Sequence, residues 1–370
     1  GEVGVFNSNN FYSNGASSGV ENTFNFGNFG FGIPLGNNAG LAVGIMPYSK
    51  SKYSYQTADV TADNINVIRK FRGQGNVNQF FIGTGYSIKN LSFGINVKHI
   101  FGEITNSELL EFLTSDFKNI RVQTINEIRG WDLTLAANYE INIDEEHKLT
   151  LGLTVDKGLS IGNGINSSNL QYQLINDYEL LETTTDNGNV TIENHLGGTE
   201  LSNTEDSKIK SEIILPHSYR AGIGYSKAKS FFLGLDYENT AWDVFRFNGS
   251  NSGFKRAQKL FLGGELIPNS EAKGSENYWK SVRYSAGINY GSSPISIAGE
   301  QLKEYGINIG FGFPLRKYKY ESEKFGSYIF ASFGYDKVSS NSAGGISENY
   351  FKVNFAVILN DKWFVKKKYD

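Results

Sequence analysis

The 370 residues include no cysteine, one methionine, six prolines and four histidines. Without cysteine, disulfides, thiol chemistry and cysteine-ligated metal sites are excluded together. No apolar run approaches the roughly 20 residues that a membrane-spanning helix needs, and the mean hydropathy is −0.35, so a helical membrane protein is excluded. Charge of one sign is also scarce: the net charge is −3 and the pI is near 5.9. The only basic run is Lys366, Lys367 and Lys368 near the C-terminus, which leaves no case for nucleic acid as a partner.

What the chain does contain is a rhythm. About fourteen short stretches alternate apolar and polar side chains, and because successive strand residues face opposite sides, each stretch has one greasy and one polar face. From Leu91 to Phe101, the residues Leu91, Phe93, Ile95 and Val97 point one way and Ser92, Gly94, Asn96 and Lys98 the other. The pattern repeats at Trp131 to Asn142, Leu149 to Asp156, Phe231 to Glu238, Val282 to Tyr290, Tyr305 to Phe313 and Phe351 to Asn360. A soluble β-sandwich alternates too, so the connections have to decide.

They divide by length. If the segment beginning at Glu2 ascends from the periplasm, mostly short turns (Gly36 to Gly40, Lys89-Asn90, Asp144 to His147, Lys227 to Lys229) fall on that side with Pro268 to Asn277 and Leu315 to Gly326. Longer connections fall on the other: Asn7 to Glu21, Thr57 to Gly73, Gly102 to Asn126, Leu159 to Ser211, Trp242 to Arg256, Ser292 to Gln301 and Ser339 to Gly345. This is the arrangement of an all-β, transmembrane, antiparallel up-and-down β-barrel of the outer membrane. The expectation is a single barrel domain over 1–370, with long extracellular loops, an even strand count and both termini periplasmic.

Within the largest loop, 159–211, Tyr172, Leu174, Tyr178 and Leu181 precede Asn187-Gly188, and Val190 and Ile192 follow it. Asn-Gly between two such runs predicts a hairpin, here one standing above the membrane, where these six residues are candidates for contact with a partner protein. In the preceding loop, Leu109, Leu110, Leu113 and Phe117 have spacing that predicts a short amphipathic helix over 106–117. Five prolines lie at strand ends or in connections, where a missing N–H costs little. Pro47 does not, because it follows Leu41, Val43 and Ile45 in a run that resumes at Tyr53 and Tyr55. An unpaired backbone group is expensive in lipid, so Met46, Pro47 and Tyr48 mark a kink, a bulge without function, or a side opening. The switch of parity between Phe24 and Phe26 and Phe29 and Phe31 predicts a second bulge at Gly27-Asn28.

Reactive constellations are scarce. His99, His147, His195 and His217 lie on different strands, a turn and a loop, with no metal-ligand spacing. Asp144, Glu145 and Glu146 read as a solvated turn, and Asp186 to Asn189 lacks the ligand pattern of a calcium loop. No nucleophile motif supports an enzyme, and no cofactor is expected. Lys98, Asp132, Glu140, Asp236, Glu238 and Arg283 share the inward face and predict a charged lumen.

Three stretches resemble a known family: Gly44-Ile45-Met46-Pro47-Tyr48-Ser49, Leu215-Pro216-His217-Ser218-Tyr219-Arg220-Ala221-Gly222-Ile223-Gly224-Tyr225, and the ending from Glu348 through Trp363-Phe364-Val365-Lys366. They are similar to the FadL-type outer-membrane barrels, the long-chain fatty-acid transporter family, in the version common in Bacteroidota. The resemblance implies fourteen strands, an N-terminal hatch in the lumen and a kink in the third strand that opens a side exit; Pro47 carries the kink over. The hatch element is expected not to be present in this chain, and a barrel of this size then needs another plug or conducts. Two functions are expected as alternatives: passive transport of hydrophobic small molecules across the outer membrane, or a non-transporting scaffold subunit of a larger outer-membrane complex. The partners are outer-membrane lipid and, accordingly, a hydrophobic ligand or other outer-membrane proteins.

Overall fold

The computed structural model describes residues 1–13, 18–114, 117, 119–158, 160–174, 198–204, 211–228, 230–247, 250–251, 253–270, 272, 277–297, 299–315, 327–340 and 347–360. Fourteen antiparallel strands close into a cylinder rather than two stacked sheets. In chain order the first seven are β1 (Glu2–Ser13), β2 (Ser18–Pro34), β3 (Ala39–Val60), β4 (Asn66–Ile88), β5 (Leu91–Phe112), β6 (Ile120–Asn142) and β7 (His147–Asp156). Three strands follow outside the cylinder: β8 (Ser160–Leu174), β9 (Gly198–Thr204) and β10 (Ser211–Ile214). The wall resumes with β11 (Ser218–Lys227) and β12 (Phe231–Thr240), then passes β13 (Arg246–Phe247) and β14 (Ser250–Asn251). It ends with β15 (Ala257–Leu266), β16 (Arg283–Ile297), β17 (Glu300–Pro314), β18 (Tyr328–Ser339) and β19 (Ser347–Ile358). Pairing of β1 with both β2 and β19 closes the ring, from Glu2 opposite Ile358 to Ser13 opposite Ser347. Closure between β1 and β19 removes there the sheet edges that lipid would not tolerate.

The alternating pattern sets the two surfaces. Leu135, Leu235, Ile288, Ile307, Ile309 and Phe355 project outward and are exposed, forming the apolar band that acyl chains wet. The inward faces carry ion pairs: Lys259 with Glu304, Lys352 with Asp336 at 2.7 Å, Arg283 with Glu265 at 3.2 Å, and Arg220 with Glu238. The charged lumen expected from Lys98, Asp132, Glu140, Asp236, Glu238 and Arg283 is present.

Two expectations are corrected. Among the described residues of 106–117 no helix forms, because β5 runs unbroken to Phe112, paired with β4 on one side and β6 on the other. The local helical spacing loses to long-range pairing, which puts Leu109 on one face, buried, and Leu110 on the other. The connections Thr57 to Gly73 and Gly102 to Asn126 are likewise mostly strand rather than loop, for β3 to β6 run for 22 or 23 residues. A membrane crossing needs about 9–11 residues, so these four strands continue past the bilayer as a flange. There β6 changes neighbour: Thr134 to Asn142 pair with β7, but Ile120 to Ile128 pair with β8. The bulge at Gly27 is as expected, since Gly4 pairs with Asn28 and Val5 with Phe26.

The turn after β6 is held by Asp144. Its Oδ1 accepts from the backbone N–H groups of Glu146 and His147, both at 2.8 Å, and Oδ2 lies 2.8 Å from His147 Nδ1. The bond from His147, with these two N–H groups, holds the Asp144 carboxyl below the ordinary carboxylate range.

Candidate functional site

The ladder between β2 and β3 is short. It runs from Pro34 opposite Gly40 to Phe29 opposite Ile45 and stops, although both strands continue beyond that point. On its other side β3 stays paired with β4, but the register shifts at the proline: Pro47 faces Asn78, Ser49 faces Val77, and Tyr48 is extra. This is a β-bulge, which bends the strand that carries it. Pro47 offers no N–H, so the position where β3 leaves β2 is one where a ladder bond was already unavailable. Met46, Pro47 and Tyr48 thus sit together at the lower corner of an open seam.

Side chains cross the seam where the backbone does not. Lys52 Nζ pairs with Glu21 Oε1 at 2.8 Å and donates to the Asn22 carbonyl at 3.2 Å. With the Asn25 amide oriented to satisfy both neighbours, its oxygen accepts from Lys50 Nζ at 3.0 Å and its nitrogen donates to the Phe24 carbonyl at 2.9 Å. These lysines were not singled out from the sequence. Their only sequence signal is a pair of charges two residues apart just after Pro47, in a strand that otherwise alternates apolar residues.

The bulge puts Tyr48 against the lumen's apolar layer. Val77, Ile100 and Ile128 of β4, β5 and β6 pack with Ile213 of β10 and Leu215 just after it, and Tyr48, Ile104 and Phe245 close around them. Phe245 follows a single 3-10 turn, Trp242–Val244, and contacts Trp242 and Phe254 at ring separations of 5.9 and 5.7 Å. One inward position nearer the terminal end, Lys98 Nζ lies 2.8 Å from Asp132 Oδ2 and 2.7 Å from Asp156 Oδ1. Asp156 also accepts from the hydroxyls of Thr134 and Ser218. An apolar layer over a charged one fills this side of the lumen, and both are built from the wall and its far-end connections.

The other side is hollow. A cavity of about 1200 Å³ is lined by Arg220, Lys259, Glu304 and Lys352 among others, and it reaches the seam at Glu21 and Lys50. On the outer wall, a shallower apolar groove of about 450 Å³ lies between Tyr86, Phe93, Leu135 and Leu153, over the small residues Gly85, Gly94, Ala136 and Ala137. Among the described residues no group of histidine and carboxylate side chains is arranged to hold a metal ion. His99 faces outward between Phe101 and Trp131, and His147 stacks on Tyr225.

Of the expected partner-contact residues, Tyr172 and Leu174 lie on β8. Tyr178, Leu181, Val190 and Ile192, with the Asn187-Gly188 turn, lie outside the described residues.

A closed fourteen-stranded cylinder with an apolar outer band and a third strand bulged at a proline defines the class: this is an outer-membrane β-barrel of FadL-type fold. The solved structures agree. The chain superposes on a Pseudomonas aeruginosa FadL homologue with a TM-score of 0.58 at 11% identity, covering 96% of this chain and 89% of that one. The P. putida toluene transporter TodX gives 0.56 at 11% identity, with coverage of 96% and 88%. The Ralstonia pickettii toluene transporter TbuX gives 0.55 at 10% identity, with 96% and 87%. At these identities the likeness is one of fold. Among curated proteins no sequence matches. A family model described as BamG matches residues 2–370, and the chain belongs to the BamG family.

Proposed function

We propose that this barrel is a passive outer-membrane conduit for hydrophobic small molecules, which leave the lumen sideways at Met46, Pro47 and Tyr48. The observation that carries the proposal is the early end of the β2–β3 ladder beside the Pro47 bulge; the luminal cavity reaches the same seam above it, at Glu21 and Lys50. The fold shared with a FadL homologue and two toluene transporters supports it. In this reading both termini are periplasmic, a molecule enters at the far end, and Tyr48 with the apolar layer offers it a surface before the bilayer. The concentration gradient is the only driving force.

Deleting Tyr48 and replacing Pro47 by alanine restores a regular strand that can zip onto β2. Uptake of toluene into vesicles carrying the variant is expected to fall about tenfold, the equivalent of one well-formed hydrogen bond at the gate. Unchanged uptake with normal barrel assembly refutes the side exit.

A second reading, a non-transporting subunit that presents 159–211 to partner proteins, is favoured by one observation. The flange of β3 to β6 is extended by β8 and β9 into a sheet beyond the membrane, a surface a conduit does not require. Deletion of residues 165–201 with every co-purifying envelope protein retained counts against it.

A further inference from the structure

The seam has an upper part that a side exit at Pro47 does not use. Beyond Phe29, β2 continues as strand from Ser18 to Asn28, paired with β1 on one side; among the described residues nothing pairs with its other edge. A row of unpaired N–H and C=O groups at this depth costs several kcal/mol per group in lipid, and side chains satisfy two of the carbonyls, Asn22 from Lys52 and Phe24 from the Asn25 amide. The outward face beside this edge is also unlike the rest of the band. Asn22 Nδ2 donates to Asn9 Oδ1 at 2.6 Å and to Asn7 Oδ1 at 3.1 Å, so three amides stand on the outer wall. Around them Val20, Phe24, Phe26, Phe11 and Phe351 are exposed. Acyl chains have nothing to offer an amide cluster or a free ladder edge. An extended polypeptide offers both, since its backbone completes the ladder and a polar side chain at the level of Asn22 meets the amides.

We infer that the free edge of β2, from Ser18 to Asn28, is a strand-acceptor site that pairs with an extended segment of another outer-membrane protein. Its recognition chemistry is set by the wall: apolar side chains opposite Val20, Phe24 and Phe26, and one amide or hydroxyl side chain opposite Asn22. Carboxylates are suited to the β3 side, where Lys50 and Lys52 line the seam. The inference does not rest on transport, because it concerns residues above the Met46–Tyr48 corner and holds whether or not anything leaves there.

A photo-reactive phenylalanine analogue placed singly at Val20, Asn22 and Phe24 tests it in intact cells, with Leu262 on the opposite wall as control. Heat-modifiable migration checks that each variant folds. The expected result is covalent adducts at the three β2 positions that map to one segment of one protein and advance along it two residues per step, with none at Leu262. Hydrogen exchange adds a second readout. The β2 amides should exchange about tenfold more slowly in native outer membranes than after purification in detergent, the ratio one lost hydrogen bond gives, while those of β16 exchange alike in both. Adducts to lipid only, to a second copy of this chain, or scattered over several proteins overturn the inference, as does equal exchange in the two settings.

Discussion

Replacing Lys98 by methionine keeps the length and apolar stem of the side chain and removes one charge from the luminal layer. Lys98 is 12% exposed and Asp132 4%, and the amine lies within 2.8 Å of two carboxylates. Two charge-assisted bonds worth about 1.5–3 kcal/mol each are lost, and the carboxylates that remain repel one another. Breaking a buried ion pair by removing one partner costs about 3–5 kcal/mol. Asp156 keeps its bonds from Thr134 and Ser218 and is a third exposed, so water relieves part of the penalty and the lower end, about 3 kcal/mol, is expected. The assay is reversible urea unfolding in detergent micelles, followed by tryptophan fluorescence and by gel migration of unboiled samples. A triple variant, Lys98→Met with Asp132→Asn and Asp156→Asn, removes all three charges and should recover most of the loss. A single-variant cost below about 1 kcal/mol, as for a solvated surface pair, refutes the reasoning, as does a triple variant no more stable than the single.

The outer band and the lumen should respond oppositely to charge. Ile288→Arg, on the lipid face, is expected to cost about 2–4 kcal/mol, and Asn308→Arg, beside the cavity, less than about 1 kcal/mol; urea unfolding separates them, and equal costs refute the inside-outside assignment. Gly44 lies at the top of the β2–β3 ladder, where an added methyl would sit 2.6 Å from the Phe29 carbonyl and 2.7 Å from the Phe81 ring. Gly44→Ala should therefore cost about 1–3 kcal/mol and speed amide exchange at Ile45, whereas Gly30→Ala, whose methyl meets nothing within 4 Å, should do neither. Because the folded Asp144 carboxyl is held low, its support of the 143–147 turn is present above the ordinary carboxylate range of about 4 and is lost as pH falls through the lowered value. The protection factors of the Glu146 and His147 amides should fall on acidification and be low at neutral pH in Asp144→Ala.

Much of this molecule is legible by parity. Leu91 to Val97 and Leu233 to Tyr237 announce which side meets lipid because one residue of slip would turn every apolar side chain into the lumen. Pro47 is legible for a similar reason, since a residue without an N–H in mid-ladder has few ways to be accommodated. What the sequence hides is what pairs with what at long range. Leu109, Leu110 and Leu113 read as a helix because local spacing does not reveal that β4 and β6 flank them. Lys50 and Lys52 read as ordinary polar positions because nothing local shows that β2 has left their side. Lys98 and Asp132 are visible as inward charges, but Asp156, which completes their cluster, arrives from another strand 58 residues away from Lys98. Ile213, Leu215 and Phe245 join the luminal layer from connections, where periodicity carries no information.

The flange makes the mouth of this barrel lopsided. Beside β6, with 23 residues, stands β7 with 10, but β8 pairs with β6 from Ile120 to Ile128 and carries the tall side on above β7. A large body such as a folded protein or a polysaccharide coat meets the tall palisade of β3 to β6 first. From the described strands, the approach left open to the hollow half of the lumen is across the lower rim of β15 to β19, with 10 to 15 residues each, so arrival from outside is directional in the plane of the membrane.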